Sequence, residues 1–219
     1  MSKKIIILGG IGNGSVIANA IIDANKRGDK EWAFAGYLND RIATGSNIES
    51  YPVLGKLIDW VRFADTDFFF INTIYRIDGQ QERVDLFESF NIPDNRLATF
   101  IHPLSYVAPN VYLGPGTVVM PNVSISSSTS FAKGCLIMVG ATIAHNTKIG
   151  KYCHFAAQCC VGAYMNIGDG VHIGLNATTR ENLTIGKNST LGMGSVLTKD
   201  MGENEIWVGN PARFLRKAE

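Results

Sequence analysis

Two hydrophobic rhythms divide the chain. From Val107 onward a bulky apolar residue recurs at every sixth position: Val107, Leu113, Val119, Ile125, Phe131, Ile137, Ile143, Ile149, and onward to Leu197. Of the sixteen positions in this series fifteen are bulky and apolar, and Thr179 is the one lapse. The residue four after the anchor is usually small or β-branched (Thr117, Cys135, Ala141, Thr147, Cys153), and the one directly after it is often Gly or Ala. A period of six is too long for one helix face and too regular for loops. It fits a short strand followed by a tight corner, three such sides closing a triangular coil of eighteen residues. The anchors then point inward and stack on their counterparts at about 4.8 Å per coil. This pattern predicts a left-handed parallel β-helix of about five coils between Val107 and Leu197, with no long insertion.

Before the repeat the rhythm is that of alternating strands and helices. Residues 4 to 8 are a continuous apolar strand, followed by Gly9-Gly10-Ile11-Gly12-Asn13-Gly14 and an amphipathic stretch holding Val16, Ile17, Ile21 and Ile22. Strand, glycine turn and helix place backbone N–H groups and a helix dipole where a phosphate can bind. A second strand, Trp32 to Leu38, ends in Asn39-Asp40, where a Rossmann-like unit carries an acidic residue for a ribose. A third strand spans Asp67 to Asn72, and a helix lies near Glu82 to Phe90. The expected organisation is a Rossmann-like βαβαβ domain over 1–101 and the β-helix over 102–219. About 100 residues are few for a dinucleotide fold, so a nucleotide or nucleotide-sugar is expected, not NAD. A tight βα turn with no ligand is the plainer reading of the same glycines.

Composition narrows the class. A formal charge of +1 argues against general attraction to nucleic acid, and 46% hydrophobic against 18% charged residues is globular. The start, Met-Ser-Lys-Lys before an apolar run, has a signal peptide's charge order, but the run is too short and reads as a strand. No stretch approaches the ~20 apolar residues of a membrane span, so a soluble, cytoplasmic protein is expected. Cys135, Cys153, Cys159 and Cys160 show no zinc spacing. The first three fall at the small inward position of the repeat and read as buried thiols, while Cys160 falls in the outward corner phase. His102 precedes Pro103 at the domain junction and reads as structural. His172 falls at an outward repeat position and takes no role.

The pattern [LIV]-[GA]-x-x-[STAV]-x resembles the hexapeptide-repeat acyltransferases. The whole chain resembles the sialic-acid O-acetyltransferase-like group, nearest to the N-acetyltransferases of 4-amino sugars carried on UDP, dTDP or GDP. The residues that carry this are Gly9-Gly10-Ile11-Gly12-Asn13-Gly14, Leu38-Asn39-Asp40, Pro52-Val53-Leu54-Gly55, Ile101-His102-Pro103, Ile143-Ala144-His145-Asn146 and Val208-Gly209-Asn210-Pro211-Ala212. The resemblance implies acetyl-CoA as donor, His145 as general base, and Asn146 where the family carries Glu or Asp. It implies an accessory role for His154, as a catalytic and donor-contacting residue. Coenzyme A would lie between neighbouring prisms of a homotrimer against Gly162, Ala163, Gly174, Ala177, Gly192 and Gly194, with Lys199 and Arg213 near its phosphates. The acceptor nucleotide would sit on Gly10, Gly12, Asn13, Gly14 and Asp40, with Thr73 where the family has glycine. No metal is implied. O-acetylation of a sialic acid or other sugar hydroxyl is the alternative within enzymes. A nucleotide-binding trimeric scaffold and a carbonic anhydrase-like metal site drawn from His145, His154 and His172 lie outside acyl transfer.

Overall fold

The computed structural model describes residues 2–218, so Met1 and Glu219, the outer ends of the two expected domains, lie outside the described residues. The N-terminal sheet is built on β1 (Lys3–Leu8), whose Ile5, Ile6, Ile7 and Leu8 are fully buried. Both of its faces are covered, which is why the strand reads as a continuous apolar run without alternation. β1 pairs in parallel with β2 (Trp32–Leu38) on one side. Helix α1 (Asn13–Lys26) crosses between them and buries Ile17, Ala18 and Ile21.

The second crossover differs from the expected βαβαβ pattern. Between β2 and the next central strand the chain forms a hairpin, β3 (Asn47–Ile48) and β4 (Tyr51–Gly55), then a 3-10 helix over Leu57–Phe63. Asn39 starts this detour: its Oδ1 accepts the N–H groups of Arg41 and Ile42 and turns the chain away from the sheet. β4 then adds in parallel to β2, and β5 (Phe68–Asn72) returns to the far side of β1, giving the order β3-β4-β2-β1-β5. Helix α2 (Gln80–Ser89) follows. Because the chain leaves β1 in opposite directions toward β2 and β5, their carboxyl ends open a crevice at this reversal point.

The repeat folds as a three-sided prism. Its first face runs from the strand Tyr106–Val107 to Val196–Leu197, and its second from Tyr112–Leu113 to Thr184–Ile185. The third face begins at Phe100–Ile101, so the prism takes up the chain before residue 102, and it ends in the hairpin Glu205–Val208 and Arg213–Lys217. Register advances by one eighteen-residue coil: Ser124 pairs with Tyr106 below and Thr142 above. The anchors Ile125, Phe131, Ile137, Ile143 and Phe155 are fully buried inside. Thr179 keeps its place among them because its hydroxyl is satisfied, accepting the Gly162 N–H at 2.9 Å and facing Met165 Sδ at 3.7 Å. Corners between the first and second faces are turned by Asn146, Tyr164 and Asn182 at φ 56°, 56° and 58°. Asn tolerates that left-handed backbone, whereas a tyrosine there is unusual.

His102 ties the halves together. Its Nδ1 accepts the Leu104 N–H at 3.2 Å, so the proton sits on Nε2 and is donated to Asp23 of α1 at 3.1 Å. Tyr152 donates to Glu88 of α2, and Lys133 pairs with the same carboxylate at 3.1 Å. Cys160 lies on a first-face strand and not in a corner, and it is exposed, whereas the other three thiols are buried. Among the described residues no helix is long and apolar enough to cross a membrane.

Candidate active site

The edge between the first and second faces carries one column of residues at eighteen-residue spacing: His145, Ala163, Glu181 and Lys199. Adjacent coils are tied along it, with Tyr164 N–H donating to the His145 carbonyl at 3.1 Å and Asn182 N–H to that of Ala163 at 2.9 Å. Lys199 stands three coils above His145, about 14 Å at the usual strand spacing. His145 is exposed, and its Nδ1 lies 2.8 Å from Asn146 Oδ1. An amide oxygen only accepts, so Nδ1 carries the hydrogen and Nε2 presents its lone pair. The Tyr164 ring meets the imidazole edge-on at 5.1 Å. Gly162 belongs to this edge, but its N–H is bound to Thr179.

The third face carries the other histidines. His154 and His172 are in register on neighbouring coils and stack at 5.1 Å and 28°. The sequence places His172 outward from the prism; it is nevertheless buried, because the segment after β5 covers this face. Tyr75 from that segment lies on His154 at 4.3 Å and 23°, and on His172 at 5.6 Å and 40°. Burial, with the neighbouring His172 second, pushes His154 down to about 3, and burial takes His172 to about 4. Both rings are therefore neutral at physiological pH. His154 Nε2 lies 3.4 Å from the Asn13 side-chain nitrogen. A cavity of about 460 Å³ opens here, bounded by Asn13, His154, His172, Gly174, Leu175, Gly192 and Met193 among others.

A second cavity, of about 530 Å³, fills the crevice at the ends of β1, β2 and β5. Gly10, Asp40 and Thr73 line it, together with Arg41, Arg76 and Arg83. Asp40 Oδ1 accepts the Leu57 N–H at 2.9 Å, fixing the carboxylate at the mouth. Thr73 is buried, and both its N–H and hydroxyl donate to the Leu8 carbonyl at 2.9 and 3.0 Å. Its hydroxyl occupies the space a Cβ at Gly9 would need, so Gly9, at φ 136°, makes room for the threonine.

Several expected contacts are redistributed. Asn13 borders the histidine cavity and not the crevice at the ends of β1, β2 and β5. Gly14 is buried, and a Cβ there would lie 3.1 Å from Thr73 Oγ1 and 3.4 Å from Ile7, so it serves helix-on-sheet packing. Gly12 turns the chain into α1 at φ 97° with open space beside it. Ala177 points into the prism and is fully buried, because it occupies the small inward position, so it cannot wall a groove. Gly174 and Gly192 do border the cavity, but their lack of a side chain has a nearer cause. A Cβ at Gly174 would lie 2.6 Å from the Met193 nitrogen, and one at Gly192 2.7 Å from Val208. Gly194, at φ 65° in open space, turns the adjoining corner. Arg213 is exposed on the last strand.

In a single chain, His145, Ala163 and Lys199 lie on one edge of the prism, and His154, Gly174 and Gly192 border a cavity at another. His145 is thus apart from His154 and His172, and among the described residues no three His, Cys, Asp or Glu side chains form a metal-holding group. Tyr75, Arg83 and a buried His172 are what the sequence reading missed. For His172 a signal was present: it falls one coil of eighteen after His154.

No protein-family model matches the chain, and no curated protein does. Solved structures do. A mutant of GDP-perosamine N-acetyl transferase from Caulobacter crescentus, in complex with CoA and GDP-perosamine, matches with TM-score 0.82 at 21% identity, covering 98% of this chain and 97% of that one. The acetyltransferase domain of PglB from Neisseria gonorrhoeae matches with TM-score 0.79 at 22% identity over 98% and 100%. WeeI from Acinetobacter baumannii matches with TM-score 0.73 at 26% identity over 97% and 100%. The fold, a Rossmann-like unit followed by a left-handed β-helix, is thus shared over nearly the whole length.

Proposed function

We propose that the chain transfers an acetyl group from acetyl-CoA to the 4-amino group of a nucleotide-linked amino-deoxy sugar. The observation that carries this reading is His145: an exposed imidazole on a prism edge, its Nδ1–H held by Asn146 and its Nε2 free to accept a proton. The similar structures support it, since one is named as an N-acetyl transferase and holds CoA and a GDP-linked sugar. The crevice bordered by Gly10 and Asp40 takes the nucleotide, and Arg76 and Arg83 on its rim supply charge suited to a diphosphate.

In the reaction the amine nitrogen attacks the thioester carbonyl, the N–C bond forms and the C–S bond breaks. His145 Nε2 takes the proton from nitrogen, and the departing thiolate is protonated to coenzyme A thiol. The Ala163 N–H on the same edge is the donor offered to the developing oxyanion, since that of Gly162 is committed to Thr179. Most of the acceleration comes from holding two large substrates in line. His145 and the histidine cavity lie at different edges of one prism, so the site closes between copies. A homotrimer sets the His145 edge of one subunit against the cavity of the next.

The test is thiol release from acetyl-CoA against UDP-, dTDP- and GDP-linked 4-amino-4,6-dideoxy sugars, with His145→Ala beside the wild type. Turnover on one sugar, abolished in the mutant, is the expected result. Release with hydroxyl sugars alone would move the reaction to O-acetylation, and binding of nucleotide without any CoA affinity would replace the enzyme with a scaffold.

A further inference from the structure

Tyr75 stands between the two large cavities and lines both. It follows β5 by three residues, and its backbone is anchored where Thr73 bonds the Leu8 carbonyl. The segment beyond it is strapped to the prism: Thr190 donates to the Ile77 carbonyl at 2.9 Å, and Asn188 to the Gln81 side chain at 2.8 Å. The Tyr75 ring lies flat on His154 and tilted over His172. Its buried hydroxyl has no protein partner. The residue also walls a chamber of about 10 Å³ with Gln80, Tyr152 and Cys153, which is about the size of one water. Tyr75 thus borders all three spaces while its ring packs on the two imidazoles.

We propose that Tyr75 is a positioning residue that partitions the acceptor crevice from the histidine cavity, its ring holding His154 in place and keeping water from the thioester until the acceptor fills the opening. This rests on the transferase reading above. The reaction it suppresses is hydrolysis: water oxygen adds to the thioester carbonyl and the C–S bond breaks. The thiolate takes one proton of that water, and the acetic acid formed gives its own to solvent. An aromatic ring suits the task because it stacks on two neutral imidazoles while closing a wall between two spaces. A smaller side chain would join the two cavities and leave His154 without its cover.

The experiment measures two products from the full-length protein at once, free thiol and acylated sugar, for wild type, Tyr75→Phe, Tyr75→Ala and His172→Ala. Wild type and Tyr75→Phe are expected to release one thiol per sugar acylated. Tyr75→Ala is expected to lose about ten-fold or more in kcat, as misaligned reactants do, and to release thiol without any acceptor. His172→Ala, which removes the second ring without touching the strap, is expected to shift the ratio in the same direction. Thermal melting shows that each variant is folded, and a folded Tyr75→Ala that releases no thiol without acceptor would overturn the partition. Equal uncoupling in Tyr75→Phe and Tyr75→Ala would overturn the role of the ring. Absence of turnover in the wild type on every amino sugar would overturn the transferase reading itself and this inference with it. A coupled Tyr75→Ala in an active enzyme overturns the inference alone.

Discussion

His145 Nδ1 and Asn146 Oδ1 face each other at 2.8 Å on an exposed edge of the prism. The contact fixes the tautomer of a ring that would otherwise rotate and exchange its proton freely. Asn146 sits at a corner with φ 56°, a left-handed backbone that asparagine tolerates. His145→Ala is expected to lower kcat by about 10²- to 10⁴-fold, the usual worth of a general base. Asn146→Ala removes only the orienting contact and should cost roughly ten-fold in kcat with little change in KM for either substrate, whereas Asn146→Asp restores an acceptor and should recover most of the rate. Steady-state kinetics on the three variants checks this. A full-strength Asn146→Ala would remove the orienting role.

The stacked pair His154 and His172 predicts acid sensitivity. Both are held neutral by burial, at about 3 and about 4, below the value near 6.5 of an unfolded histidine. Protonation therefore favours the unfolded chain. The stability they contribute is fully present above about pH 6.5 and is lost as pH falls from there toward 4. Each contributes at most about 1.4 kcal/mol per pH unit in that window. Melting temperatures measured from pH 8 to pH 4.5 should fall steeply below 6.5 in the wild type and less steeply in His172→Phe, which keeps a ring and removes one titrating group. Parallel curves for the two proteins would show that the pair does not sense acid.

The β-helix was legible because its period is enforced by geometry: every coil must place a bulky residue inside, so Val107 to Leu197 announce it. The bounds of β2 coincide with the expected Trp32 to Leu38 for a similar reason, an apolar run closed by Asn39. The detour between β2 and β5 was not legible, since two-residue strands such as Asn47–Ile48 carry no periodicity. Sidedness was harder still. The repeat sorts residues as inward or outward relative to the prism, and nothing in it says that a second domain will cover the outward His172. Likewise the glycine turn reads in the sequence as a phosphate-type loop, but which side of it Asn13 faces depends on how that loop meets the third face. Gly174 and Gly192 carry two demands at once, the coil above and the cavity beside them, and the sequence shows only that both are glycine.

On the proposed reading, the crevice at the ends of β1 and β5 offers a nucleotide two kinds of contact. Arg83 stands on α2 and Asp40 at the end of β2, and both border the same space. Loss of a charge-assisted contact costs about 1.5–3 kcal/mol. Arg83→Gln should therefore raise KM for the nucleotide-linked sugar about ten-fold or more while leaving KM for acetyl-CoA unchanged. Asp40→Asn keeps an oxygen for the Leu57 N–H and so preserves the local fold. It should weaken binding of nucleoside diphosphates and of the corresponding nucleosides alike, whereas Arg83→Gln should spare the nucleosides. Isothermal titration with the two ligand classes distinguishes them, and equal effects on both ligands in both variants would dissolve the assignment of separate ribose and phosphate contacts.

On the proposed reading, the separation of His145 from His154 across one prism makes the strongest demand, because one site then draws on two copies. His145→Ala carries a defective edge and an intact cavity; His154→Ala carries the reverse. Each homotrimer should be inactive or nearly so. When the two are co-expressed in equal amounts and assemble at random, an interface works only where an intact cavity meets an intact edge, which random pairing around a closed ring gives at about one interface in four. Activity recovered from the mixture should approach that fraction of the wild-type rate and should vanish when the variants are purified apart and mixed without subunit exchange. If instead the mixture stays as inactive as its parts, the two histidines serve within one chain or not together at all, and the edge-to-cavity arrangement of the trimer is wrong.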